Sequence, residues 1–170
     1  PSPLLQHPAF QGLSEEATVR LTEGCRALRF ELGQQLCEPS TIPARILVLL
    51  QGQARLLGRH NGRLTSVGKF GPGSFIGAAS LLTGQPCENV IAADEVVAFA
   101  LSDDLWSDLY SSESSFRDWC DQQLWPQELL KLLEVLDETS AETSSSPLEA
   151  LQAAMQQAQR CSPESEAIGA

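Results

Sequence analysis

The sequence predicts a mainly β protein: a sandwich or jelly-roll barrel of about eight strands with helices before and after it. Three observations carry this. Short apolar runs between residues 25 and 101 are punctuated by turn residues about every eight to twelve positions, the rhythm of antiparallel all-β folds. Asn61-Gly62 lies between two of these runs, and both residue types tolerate positive φ, which marks a tight hairpin. Apolar residues in the flanks instead recur at helical spacing, as in Leu129, Leu132, Leu133 and Leu136.

Taken in order, the first 24 residues read as helical. Ser14 followed by Glu15-Glu16 is an N-cap with an acidic first turn, and Ala17, Leu21 and Cys25 form an apolar stripe. Strand patterns follow at Cys25–Phe30 and Gln35–Cys37, separated by a turn at Glu31–Gln34. Pro39 and Pro43 bracket a loop. Arg45–Leu50 is a continuous apolar run, short enough for a strand buried on both faces. Gly52 breaks it, and strands are expected over 53–58, 64–70, 90–93 and 96–101. Ser102 caps a short helix through Tyr110, Ser111–Ser115 reads as a loop, and a helix from Phe116 to Trp125 meets Pro126. A further helix over 127–138 precedes a polar linker (TSAETSSS), and Ser146-Pro147 opens a last helix. Residues 161–170 read as a disordered tail.

The chain has 170 residues, room for one domain of about 100–150 residues and an appendage. No run of apolar residues is long enough to span a membrane, and no signal peptide is visible. The first residue is not Met, so the chain reads as a piece of something longer. Net charge is −11, which argues against nucleic acid as a partner. The charge is uneven: no acid lies between Glu38 and Glu88, where Arg45, Arg55, Arg59, Arg63 and Lys69 fall. From Phe70 onward 3 bases face 17 acids. The basic stretch is either a set of solvated strand positions or a surface for the acidic part or a partner. Cysteines 25, 37, 87, 120 and 161 are scattered with no CxxC pair, so neither a metal site nor a disulfide framework is expected. Reduced thiols in a cytosolic protein are the expectation. His7 and His60 read as surface residues, and Trp106, Trp119 and Trp125 as core or interface anchors.

The most informative stretch is Gly71–Ala93, GPGSFIGAASLLTGQPCENVIAA. A Gly-Pro-Gly turn leads into Phe75-Ile76-Gly77, a short apolar helical turn, a Gly-Gln-Pro loop and a strand start. This resembles the phosphate-binding cassette of the cyclic nucleotide-binding domain superfamily. The opening PLLQHPAFQGLSEEATVRL and the strand Ile46–Gly52 resemble the same family, and the likeness extends over about residues 4–138. It implies a double-stranded β-helix barrel. It also implies a helical cap over 1–24, a barrel with its following helices over 25–138, a linker over 139–147, a helix over 148–160 and a tail.

In that family a Glu follows the Gly at 77 and holds the ribose hydroxyl, and an Arg after the Pro at 86 holds the cyclic phosphate. Here those positions are Ala78 and Cys87. Gly77, Ala78, Ala79 and Ser80 can still offer backbone amides, while Cys87 is neutral and Glu88 adds negative charge. Losing a charge-assisted contact costs about 2–5 kcal/mol where the partner charge is buried, so neither cyclic AMP nor cyclic GMP is expected to bind ordinarily. No cofactor is expected. A thiol at 87 beside Glu88 would have a raised pKa and low reactivity, which argues against a redox role. No catalytic constellation appears, so the domain reads as non-enzymatic.

Three settings remain open. ELGQQLCEPSTIPARILVLLQGQARLL and GPGSFIGAASLLTG resemble N-terminal domains of cyanobacterial peptidase-containing ABC exporters, which implies a regulatory or docking domain at the cytosolic face of an inner-membrane transporter. The partners would then be neighbouring domains or a second copy, with no direct membrane insertion. The alternatives are the sensor half of a catabolite-activator-type regulator and a stand-alone interaction module. Residues 139–170 contain no basic recognition helix.

Overall fold

One strand shows how the layers arise. β3 (Arg45–Gln51) buries Ile46, Leu47, Val48 and Leu49 in succession. Alternate residues of a strand point to opposite faces, so Leu47 and Leu49 join one core cluster while Ile46 and Val48 join another. The first cluster is the barrel interior. The second is the layer between the barrel and its helices.

The structure, a computed structural model, describes residues 2–39, 41–84, 86, 89–123 and 125. Two single-turn 3-10 helices (Pro3–Gln6 and Pro8–Phe10) lead to α1 (Glu15–Gly24). The strands are β1 (Arg26–Phe30), β2 (Gln35–Cys37), β3, β4 (Ala54–His60), β5 (Arg63–Phe70), β6 (Phe75–Ile76), β7 (Asn89–Ala92) and β8 (Val96–Ser102). The short helix α2 (Ala78–Thr83) sits between β6 and β7, and α3 (Asp103–Ser112) and α4 (Ser114–Gln122) follow β8. The strands form two four-stranded sheets, β1-β8-β3-β6 and β2-β7-β4-β5, with every pair antiparallel. The inner faces of both sheets bury Phe30, Leu36, Leu56, Val67, Phe70, Val90 and Val96 against each other. This is the expected jelly roll.

Local signals are realised where their physics is local. Asn61 (φ 50°) and Gly62 (φ 76°) make the β4–β5 turn, both left-handed as a two-residue hairpin requires. Ser14 and Ser102 each accept a hydrogen bond from the amide three residues on, Ala17 (3.2 Å) and Leu105 (3.1 Å). The 31–34 turn closes through Gln34 N–H to the Glu31 carbonyl at 3.0 Å.

Two expectations need correction. The loop expected at 111–115 shrinks to Glu113 alone between α3 and α4. The Glu113 Oε1 accepts from the Ser14 amide (3.0 Å) and hydroxyl (2.5 Å), so the joint is fixed by the N-terminal cap rather than by its own serines. The helix expected to reach Trp125 ends at Gln122. The expected helices and linker over 127–160 lie outside the described residues, as does the tail.

Gly52 ends β3 at φ 86°, and a Cβ there would run into the Glu95 carbonyl oxygen and lie 2.8 Å from Asp94 Oδ1. Asp94 Oδ1 also accepts from the Gln53 amide at 2.7 Å, so this crossing cannot open without loss. Gly33 has φ 84° but open space around it. Gly33→Ala should therefore cost only the left-handed penalty, ~1–2 kcal/mol. Gly52→Ala should cost at least ~1 kcal/mol more. Urea unfolding of the two variants checks the order.

Candidate functional site

The cassette is built on a two-residue strand whose side chains face opposite ways. Ile76 enters the barrel interior, and Phe75 enters the helix-side cluster. β6 pairs with β3 through Leu47↔Ile76 and Val48↔Phe75. The turn before it is held by Ser74 N–H to Gly71 O (3.1 Å) and Gly73 N–H to Leu49 O (2.7 Å). Gly77 then adopts φ 94° and caps α2. A Cβ at Gly77 would stand 3.2 Å from Pro43 Cγ and 3.3 Å from the Arg45 carbonyl oxygen. Glycine at 77 lets Pro43 and the Arg45 carbonyl lie this close to the cassette.

Ala78, Ala79 and Ser80 are all buried, and Ala78 is fully so. The first intrahelical bond of α2 runs from Leu81 N–H to Gly77 O (3.1 Å), which leaves the amides of Ala78, Ala79 and Ser80 as first-turn donors. Ala78 and Ala79 pack in the helix-side cluster with Leu4, Phe10 and Ile46. Cys87 and Glu88 lie outside the described residues. Structure thus brings Gly77 to Ser80 together at the β6–α2 corner.

Beside that corner lies a cavity of about 620 Å³, within the size range of small-molecule sites. It is lined by residues 35–38 from β2 and its exit, by the loop from Thr41 to Arg45, and by Ile76. Its polar lining residues are Gln35, Glu38, Thr41 and Arg45, all exposed. Gln35 Nε2 also donates to Asn89 Oδ1 at 3.2 Å, linking β2 to β7. Among the described residues no cluster of His, Cys, Asp and Glu could hold a metal ion.

The cysteines correct an expectation. Cys25 and Cys120 are free, but Cys37, on the cavity wall, is disulfide-bonded. Scattered spacing along the chain suggested reduced thiols throughout; pairing depends on three-dimensional proximity, which spacing does not report. Burial and the neighbouring Asp121 push the Cys120 thiol up to about 12, so it is unreactive.

His7 is the functional-region residue that the sequence misplaced. It is half-buried, not a surface residue. Its Nδ1 accepts from the Ala9 amide at 3.1 Å, so in the neutral ring Nε2 carries the hydrogen and donates to Gly73 O at 2.7 Å. Burial holds its pKa below the ordinary value, outweighing the Gly73 bond. The ring meets Phe75 edge-on with centroids 4.8 Å apart and Trp119 at 5.4 Å. A His-Pro pair in a leader segment carries no periodic signal, so nothing in the sequence placed it here.

The neutral requirement sets a pH dependence. The folded ring resists a proton that the unfolded chain accepts near the ordinary value of 6.5. Stability from this site is therefore whole above that pH and declines as pH falls below it. The carboxylate of Glu113, whose pKa is lowered by its Ser14 bonds, acts only further into acid. Urea midpoints should drop between about pH 7.5 and about pH 5.5, and His7→Gln should remove most of that drop.

The family model for the cyclic nucleotide-binding domain matches residues 27–113. No curated protein matches in sequence. Among solved structures, the regulatory domain of Toxoplasma gondii protein kinase A with cAMP superposes with TM-score 0.60 at 18% identity, covering 81% of this chain and 51% of that one. The regulatory subunit of a cAMP-independent protein kinase A from Trypanosoma cruzi, bound to guanosine, gives 0.58 at 18%, covering 76% and 47%. The N-terminal domain of a Streptomyces coelicolor transcriptional regulator gives 0.57 at 19%, covering 84% and 99%. This chain spans about half the length of the two kinase subunits. At these identities the superpositions speak for the fold, and the family match covers more than half of the sequence. The chain belongs to the cyclic nucleotide-binding domain family.

Proposed function

We propose that this domain is a non-catalytic regulatory or docking module whose pocket does not take cyclic AMP or cyclic GMP in the family's ordinary way. The observation that carries this reading is Ala78. The position from which a carboxylate would reach a ribose hydroxyl holds a methyl group, fully buried among apolar neighbours. Cys87, in place of the phosphate-binding Arg, adds to it. Without a fixed cation, a cyclic phosphate entering the site would leave water with only neutral donors to replace it. Arg45 is a cation among the residues lining the cavity, but it is exposed and on another element.

The wider setting we propose is the cytosolic N-terminal region of a peptide-exporting ATP-binding cassette transporter, with neighbouring domains or a second copy as partners. Its support is the likeness of residues 31–84 to such exporter domains, together with the acidic C-terminal composition. No helix among the described residues is long and apolar enough to cross a membrane. The second reading, a catabolite-activator-type regulator, is favoured by one observation: the Streptomyces coelicolor regulator domain is covered almost end to end. The parent gene separates the two. Peptidase, membrane and ATPase segments after residue 170 support the first, and a basic helix-turn-helix supports the second.

Titration calorimetry of the domain with cyclic AMP, cyclic GMP and guanosine tests the pocket. The cyclic nucleotides should bind no tighter than about 10 µM, equivalent to about −7 kcal/mol. A tighter constant for either one refutes the reading. Guanosine carries no phosphate, and a fold relative holds it, so it reports whether the nucleoside part of the pocket persists.

A further inference from the structure

We propose that the outer face of the sheet β2-β7-β4-β5 is a docking surface for an acidic, leucine-bearing segment of a partner protein. The two sheets are covered unequally. The helix-side cluster takes its strand residues from β3, β6 and β8, all in the other sheet. Among the described residues, no side chain of β2, β4, β5 or β7 joins that cluster. The inward residues of these four strands, such as Leu56, Val67 and Val90, fill the barrel instead. Alternation then turns Arg55, Leu57 and Arg59 outward on β4, and Ile91 outward on β7. Register adds Lys69, opposite Arg55, and Leu64, opposite Arg59.

Two features set this face apart. Its cations have no anion. The four strands contain no Asp or Glu, in a chain of net charge −11. The ion pairs among the described residues are Arg20–Asp108 and Arg29–Glu95, on other elements. Arg55 meets the Ser66 hydroxyl at 3.5 Å, a weak contact. Arg55 and Lys69 also stand directly opposite each other. Like charges in that position oppose strand pairing, so a carboxylate between them relieves a repulsion that the fold itself leaves standing. The second feature is an apolar centre among the cations. Leu64 is 54% exposed, and Leu57 and Ile91 are half-buried without joining either core cluster.

The spacing describes the occupant. Arg55 and Arg59 lie four residues apart on β4, about 13 Å along the strand. An extended segment laid along β4 brings carboxylates four residues apart to these two cations. The side chain midway between them falls on Leu57, with Leu64 and Ile91 to either side. A lipid surface fits less well. Lipid-binding clusters carry about four to eight cations, more than Arg55, Arg59 and Lys69 supply, and a chain of net charge −11 is repelled by an anionic bilayer. The surface rests on the reading of the domain as a docking module, and not on what the pocket holds.

The test uses the full chain and a capped, fluorescein-labelled peptide that repeats Glu-Ser-Leu-Ser-Glu. Fluorescence anisotropy should give a dissociation constant on the order of 100 µM at low salt, weakening about tenfold toward roughly 0.5 M salt. The same peptide with Gln in place of Glu should bind at least about tenfold more weakly. Arg55→Gln and Arg59→Gln should each weaken binding by about three- to tenfold, while Arg29→Gln, an exposed cation on the helix-covered sheet, should leave it unchanged. Arg55→Gln should not lower Tm, because it removes a cross-strand repulsion; a purely structural role for Arg55 would lower it. Equal binding of the Glu and Gln peptides, no binding of either, or an unchanged constant when Arg55→Gln and Arg59→Gln are combined overturns the proposal. So does capture of the chain by phosphatidylserine vesicles in place of the peptide. Nucleotide titration reads the pocket separately: a cyclic nucleotide that binds tightly leaves this surface standing, and a peptide that fails leaves the pocket reading standing.

Discussion

The packing of Phe75 is the constraint on which the rest depends. Its ring meets His7, Phe10, Trp106, Trp119 and Trp125 with centroids between 4.8 and 6.5 Å. Those partners come from the N-terminal cap, α3, α4 and Trp125, three residues beyond α4. A buried aromatic ring contributes on the order of 1.5–3 kcal/mol through area alone, and well-oriented aromatic pairs add about 0.5–1.5 kcal/mol each. Segments far apart in sequence thus share one anchor, and that anchor belongs to the cassette. Phe116 extends the cluster, stacked on Phe10 at 5.7 Å and edge-on to Trp106 at 4.8 Å.

Backbone economy on the barrel side matches this. Ile76 follows Phe75 and faces the interior and the cavity, so two residues link both cores. Gly77 then turns left-handed against Pro43 and the Arg45 carbonyl, which brings the loop after β2 onto the cassette. A Cβ at 77 would press on Pro43 and the Arg45 carbonyl at 3.2–3.3 Å, in addition to the strain of φ 94°. The site is therefore shaped by a missing side chain at Gly77 and a minimal one at Ala78.

What was legible in the sequence was what local physics decides. The Asn61-Gly62 turn, the Ser14 and Ser102 caps and the two-faced run at 46–49 each follow from a few adjacent residues. The corner Gly77–Ser80 was legible through its likeness to the family cassette. Non-local terms were not. β6 is only two residues long and offers no period to detect. The serines at 111, 112, 114 and 115 look like a loop, yet they fall inside helices because Glu113 is held by Ser14 across 99 positions. His7 and the Cys37 disulfide were invisible for the same reason: their partners are distant in the chain.

The same geometry joins the cavity to the outer helices through the cassette strand. Ile76 lines the cavity, and Phe75 holds the helices; a rigid two-residue strand joins them. Ile76 and Phe75 are adjacent residues of one strand paired to β3, so the cavity-facing and helix-facing side chains share a single short stretch of backbone. The mechanical link between cavity and outer helices is thus a property of the backbone and its packing. Ala78, where the family resemblance expects the ribose contact, packs in the same helix-side cluster as Phe75.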